Sequence, residues 1–327
     1  MNIVLPGGTG QIGTLLARHF HSAGHAVAVL SRSPRPAPWR TAAWDAGELD
    51  GADVVINLAG RSVNCRYTPA NRAAIMDSRI ESTRALGRAI AAAARPPALW
   101  LQSSTATIYP HRFDAPNDES SGTAFVPGDP DTWRFSHEVA AAWERALDEA
   151  APPGVRTVKL RSAMVMSPDA GGVFATLLGL VRAGLGGRAG SGRQYVSWIH
   201  AADFVRAIEW LIARDDLAGP INLAAPNPLP NAEFMRELRA AWGARFGLAA
   251  PARWMLEAGA WALRTETELI LKSRRVVPAR LLGAGFAFQF PLWPAAARDL
   301  AAQARGGRSG AARATAWGDG GRAKGRP

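Results

Sequence analysis

Three glycines stand three residues apart near the start of the chain, in Pro6-Gly7-Gly8-Thr9-Gly10-Gln11-Ile12-Gly13. A short, largely apolar run, Asn2 to Leu5, precedes them, and Leu15, Leu16 and Phe20 follow at helical spacing. Strand, tight turn and helix in that order offer backbone amides and the positive end of a helix dipole to an anion, a setting that suits a dinucleotide pyrophosphate. Gly7, Gly10, Gln11, Ile12 and Gly13 are its candidate contacts. Val27 and Val29 alternate in a second strand ending at Leu30-Ser31-Arg32. A carboxylate at that place would bond the ribose 2′-hydroxyl of NAD. Ser31 and Arg32, with Arg35 just beyond, favour the 2′-phosphate of NADP, because a planar guanidinium pairs with phosphate.

The elements that must position these residues alternate over the first 165 positions. Val54 to Leu58, Leu99 to Gln102 and Val155 to Leu160 are short apolar runs flanked by turn residues and predict buried strands. Between them, Met76, Ile80, Thr83, Gly87 and Ile90 recur at helical spacing after Thr68-Pro69, a cap followed by a first-turn proline. A second helix is predicted over about 133–149. Alternation of this kind predicts an α/β fold, a doubly wound parallel Rossmann sheet. Helices follow at about 172–183, 201–214, 231–245 and 252–272, with Asn231 as a cap and short strands near Val196 and Ile221. They predict a smaller, mostly helical substrate lobe over 166–303, partly interleaved with the sheet. Residues 304–327 hold six basic side chains against Asp319 in a Gly/Ala/Arg composition, which predicts a disordered basic tail.

Beyond the opening motif, Val54-Val55-Ile56-Asn57-Leu58-Ala59-Gly60 and Ser103-Ser104-Thr105-Ala106-Thr107-Ile108-Tyr109 resemble the fourth- and fifth-strand motifs of extended short-chain dehydrogenase/reductases. A narrower resemblance reaches about residue 302. Ser78-Arg79-Ile80-Glu81-Ser82-Thr83, Gly184-Leu185-Gly186-Gly187, Ser197-Trp198-Ile199-His200 with Asp203, and Asn222-Leu223-Ala224-Ala225-Pro226 are similar to an atypical subgroup described as nucleoside-diphosphate-sugar epimerases. Arg274 to Pro278, Leu281, Gly285-Phe286 and Phe288 resemble that subgroup's C-terminal module of unknown function. The resemblance implies that Leu58, Ala59, Gly60 and Ser103 run beside the cofactor. It implies that Asp45, at the end of a third strand, meets the adenine, and that Thr105 takes the place of the catalytic Ser/Thr.

One part of the superfamily pattern is absent. A Tyr four residues before a Lys should open the helix after the fifth strand, the Lys lowering the Tyr pKa by its charge. That helix reads Trp133-Arg134-Phe135-Ser136-His137-Glu138-Val139-Ala140 and contains neither, and the whole chain holds only three lysines and three tyrosines. Thr105, Tyr109 and His111 are the candidate substitutes, with His137 a fourth.

The glycine-rich stretch from Gly184 to Gly192 has two readings, an anion-holding loop or a lid between helix and strand. Trp242, Trp254, Trp261 and Trp293 either line a pocket or fill a core, and the amphipathic stretch from Arg253 to Lys272 suits a homodimer contact. The single cysteine, Cys65, forms no intramolecular disulfide, no ligand cluster has metal spacing, and no apolar span or leader is evident. A cytoplasmic, membrane-free protein with a small-molecule substrate, no metal and no specific nucleic-acid partner is expected, although the basic tail keeps a nucleic-acid contact as the weakest reading. The leading expectation is an NADP(H)-dependent oxidoreductase or epimerase acting on a hydroxylated or nucleotide-linked molecule. A non-catalytic NADP(H) sensor or structural protein is the alternative.

Overall fold

The computed structural model describes residues 1–250 and 271–318. Its strands are β1 (Asn2–Pro6), β2 (Ala26–Leu30), β3 (Arg40–Ala42), β4 (Val54–Asn57), β5 (Leu99–Thr105), β6 (Arg156–Ser162), β7 (Met164–Met166), β8 (Tyr195–Val196), β9 (Trp198–His200), β10 (Gly219–Leu223) and β11 (Leu229–Pro230). Seven of them form one parallel sheet in the order β10-β6-β5-β4-β1-β2-β3. The strand foreseen near Ile221 is therefore β10, and it extends the main sheet beside β6. Strand order reverses between β1 and β4, which is where a crevice opens above the carboxyl ends of a doubly wound sheet.

The described helices are α1 (Gln11–Ser22), α2 (Pro69–Ala92), α3 (Asp131–Ala150), α4 (Val173–Arg182), α5 (Ala201–Ile212), α6 (Asn231–Trp242), α7 (Ala279–Gly283) and α8 (Trp293–Gly318). Alternate residues of β1 face opposite layers: Ile3 and Leu5 pack with Leu16 and Phe20 of α1 and Ile208 of α5, whereas Val4 packs with Leu86 and Ile90 of α2 and Leu147 of α3. Burial on both faces explains why the strands read as continuous apolar runs. Thr68 caps α2 as its sequence position implies, its hydroxyl accepting from the Asn71 amide at 3.3 Å. Asn231 does not cap. It is the first residue of α6, and its Oδ1 accepts from the Ala189 amide at 2.8 Å.

The C-terminal segments are bolted to the sheet through α5. Asp203, fully buried, accepts from the Gln289 and Phe290 amides at 2.7 and 2.8 Å. His200 Nδ1 accepts from the Ala202 amide at 3.1 Å, so Nε2 carries the proton and donates to Asp299 Oδ2 at 3.0 Å. Burial lowers the His200 pKa from its ordinary 6.5, a trend that Asp299 opposes. The unfolded state therefore binds a proton before the native state does, and stability that is complete above pH 6.5 falls as pH drops below it. Urea midpoints measured from pH 7.5 to 5 will decline, and the decline will be shallower in His200→Asn; identical slopes would overturn the assignment.

α8 runs to Gly318, across position 304 where the composition predicts a disordered tail, and residues 319–327 lie outside the described part. Trp254, Trp261, all but the last two residues of the helix foreseen at about 252–272 and most of the suggested dimer contact also fall outside it. Trp293 is core: its ring stacks on Phe234 at 4.0 Å.

Candidate active-site cleft

The opening turn is tightly built. Gly7 has φ +74°, and a Cβ there would lie 2.5 Å from Ala59 Cα, so the turn rests directly on the chain leaving β4. A Cβ on Gly13 would lie 2.3 Å from Gly8 Cα, which holds α1 against the turn. Gly10 differs, because it caps α1 with ordinary φ and nothing lies within 4 Å of its Cβ position. The three glycines thus enclose one open space over the helix N-terminus. Ser31 and Arg32 follow β2 at the neighbouring strand end, where Gly7 donates to Leu30 O at 2.8 Å. Arg32 is exposed and has no ion-pair partner among the described residues. Asp45 lies beyond the end of β3, exposed, its carboxylate accepting from the Gly47 amide at 2.8 Å to cap a short 3-10 turn.

From this turn a cleft of about 550 Å³ extends across the carboxyl ends of the central strands. Gln11, Ile12, Leu58, Gly60, Ser103 and Thr105 line it, so six of the predicted positions share one cleft. Thr105 ends β5, with its hydroxyl accepting from the Thr107 amide at 3.2 Å and donating to Thr107 Oγ1 at 3.0 Å. On the α3 side, Phe135, Ser136, Val139 and Trp143 face the cleft.

The other acid–base candidates are not brought there. Tyr109 is 2% exposed, and its hydroxyl donates to Asn222 Oδ1 at 2.9 Å and accepts from Arg161 at 3.0 Å. Burial raises its pKa against the pull of Arg161, so it stays protonated. His111 is wedged against Trp133 and Phe113, with Nδ1 accepting from the Ser273 amide at 2.7 Å. Burial lowers its pKa, with the charges of Lys272 and Arg274 adding to the shift. His137 turns off the cleft face of α3 onto the Thr123 carbonyl. These three are packing and anchoring residues.

The glycine loop is tied to neighbouring chain by its backbone amides. Its amides at Gly187, Ala189 and Gly190 donate to Leu248 O, Asn231 Oδ1 and Ala250 O at 3.0, 2.8 and 2.9 Å, and it does not line the cleft.

A family model described as NAD dependent epimerase/dehydratase matches residues 3–224, from the first strand through the last strand of the main sheet. The chain belongs to this epimerase family. A second model, a domain of unknown function termed DUF1731, matches residues 252–300. Human epimerase family protein SDR39U1 is 32% identical over 310 residues, covering 92% of this chain and all of that protein. The Mycobacterium bovis epimerase family protein Mb2239 is 34% identical over 297 residues, with 88% and 93% covered. The crystal structure of human SDR39U1 isoform 2 with NADPH superposes with a TM-score of 0.80, covering 92% of this chain and 99% of that one.

Within this epimerase chain the cleft also carries side chains to which the sequence reading assigned no role. Arg61, Arg79 and Arg274 line it, together with Tyr67. No Asp, Glu, His or Lys stands among its described lining residues. Arg79 had one signal in the sequence. It lies four residues after Ile75 and four before Thr83, both on the buried stripe of α2, where a charge is out of place.

Proposed function

We propose that this chain is an NADP(H)-dependent oxidoreductase or epimerase whose substrate is a small molecule bound in the cleft. The observation that carries the reading is the empty space over Gly10, bounded by two glycines that the backbone packs solid. The residues fit the cofactor: turn amides from Gly7 to Gly13 at the N-terminus of α1 for the pyrophosphate, and Ser31 with the partnerless Arg32 for the 2′-phosphate. Asp45, exposed on the same edge of the sheet, would meet the adenine. Leu58, Ala59, Gly60 and Ser103 would flank the nicotinamide end. NADPH in the crystal structure of human SDR39U1, a relative similar along nearly its whole length, supports the same assignment.

When bound, the cofactor supplies a hydride at its nicotinamide ring. The chain's part is to position and polarise. Thr105, at the end of β5, donates a hydrogen bond to a substrate oxygen, and the arginines stabilise negative charge that develops there. Ser136 presents a further hydroxyl to the cleft from α3.

Because a Cβ on Gly10 meets no protein atom and its φ is ordinary, Gly10→Ala will leave the thermal midpoint nearly unchanged yet weaken NADPH about tenfold or more. Fluorescence titration checks this. Unaltered NADPH affinity would remove the pyrophosphate from the turn.

The non-catalytic reading draws on one observation. The cleft face of α3 presents Phe135, Ser136, Val139 and Trp143, none of which exchanges protons near neutral pH. Single-turnover incubation of bound, stereospecifically labelled NADPH with a metabolite extract decides between the two. Transfer of label to any product eliminates the sensor.

A further inference from the structure

The guanidinium of Arg79 enters the cleft from α2 and is fixed at one end only. Nη1 donates to the carbonyls of Arg61 and Ile75 at 3.0 and 2.9 Å, and Cζ sits 4.9 Å above the Trp143 ring. Among the described residues, Nε and Nη2 have no partner and no carboxylate lies within ion-pair distance. Gly60 allows this placement, since a Cβ there would lie 3.3 Å from Arg79 Cγ and 3.6 Å from Nε.

An apolar cluster lines the same cleft. Ile75, Phe135 and Val139 form it with Val63, Cys65, Tyr67 and Met76 against it, and all but Cys65 and Met76 open onto the cleft. Tyr67 meets Phe135 edge to face at 5.1 Å.

We propose that this corner binds a carboxylate borne on an apolar or aromatic body, with Nε and Nη2 of Arg79 gripping its two oxygens. The assignment rests on the cleft being the substrate end of the cofactor site proposed above. Nε and Nη2 form the planar edge that matches a carboxylate in two parallel hydrogen bonds. The cation is largely desolvated and has no acidic neighbour among the described residues, so an incoming anion recovers electrostatic energy. Burial lowers the Arg79 pKa to about 10, which leaves the group charged at neutral pH. Arg61 and Arg274 add positive potential on the same cleft. A sugar ring would lose hydration of its hydroxyls against these walls, whereas an aryl or alkyl group gains from burial there.

The test uses wild-type, full-length chain, with and without saturating NADPH. Phenylglyoxal modifies Arg79, and peptide mass mapping follows the rate in the presence of benzoate, benzamide or inorganic phosphate. Benzoate is expected to slow modification of Arg79 about fivefold or more, and the other two less than about twofold. Calorimetric binding of benzoate will weaken about tenfold or more in Arg79→Gln and partly recover in Arg79→Lys. Equal protection by phosphate would replace the carboxylate site with a general anion site, and equal protection by benzamide would show that the ring alone is read. No protection by benzoate would also overturn the proposal. If NADPH fails to bind while benzoate protects Arg79, the cofactor reading falls and the carboxylate site stands on its own.

Discussion

Glu144→Ala will cost about 3–5 kcal/mol of folding stability. Glu144 and Arg161 side chains are each 8% exposed and meet through two hydrogen bonds of 2.8 Å. Ser104 also donates to Glu144, at 2.6 Å. Burial by itself would lower the Arg161 pKa, yet bonding and charge pairing with Glu144 carry it above its ordinary value. Removing the carboxylate leaves a cation that can neither reach water nor release its proton. The loss should come from the orphaned charge and not from the missing pair. Glu144→Leu combined with Arg161→Met will accordingly recover most of it, because a matched apolar pair of similar volume restores packing without a stranded ion. Urea unfolding of both variants measures the difference. A double variant as unstable as the single one would refute this account.

Arg32→Ala will weaken NADPH binding about 10- to 100-fold while changing NADH affinity less than about twofold. One charge-assisted contact to phosphate is worth roughly 1.5–3 kcal/mol, and each 1.4 kcal/mol is a factor of ten. The prediction is asymmetric because NADH lacks the 2′-phosphate and presents nothing for the guanidinium to grip. Arg32 gives up no internal ion pair when it turns to a ligand, since it has none among the described residues. The unfolding midpoint should stay in place. Parallel titrations with the two nucleotides provide the measurement. Equal losses for both would move the role of Arg32 from phosphate recognition to general electrostatics.

How far the site was legible depended on what each residue's position required. The strand, glycine turn and helix were readable because their signals are local: apolar run, glycine spacing, then helical periodicity within some 20 residues. Leu58, Gly60, Ser103 and Thr105 were reached through the family resemblance, and they line the cleft because a strand's carboxyl end in a parallel sheet faces the crevice. Local capping was less legible. Asp45 stands three residues past the end of β3, where its carboxylate accepts from the Gly47 amide. Asn231 is a similar case: a good capping residue type was taken up by the loop at Ala189, 42 residues away in sequence.

By itself, the sequence determined the doubly wound sheet, the glycine turn, the cation after β2 and the lack of a Tyr/Lys pair. All four are properties of residue type and spacing along a few turns of chain. Tertiary structure alone decided which side chains enter the cleft. Tyr109 is drawn inward by Asn222, 113 residues later, and His111 is held by the Ser273 amide, 162 residues later. Arg79 turns into the cleft because Gly60 leaves it room and Trp143 offers its ring. Side-chain direction depends on distant partners that local periodicity does not encode.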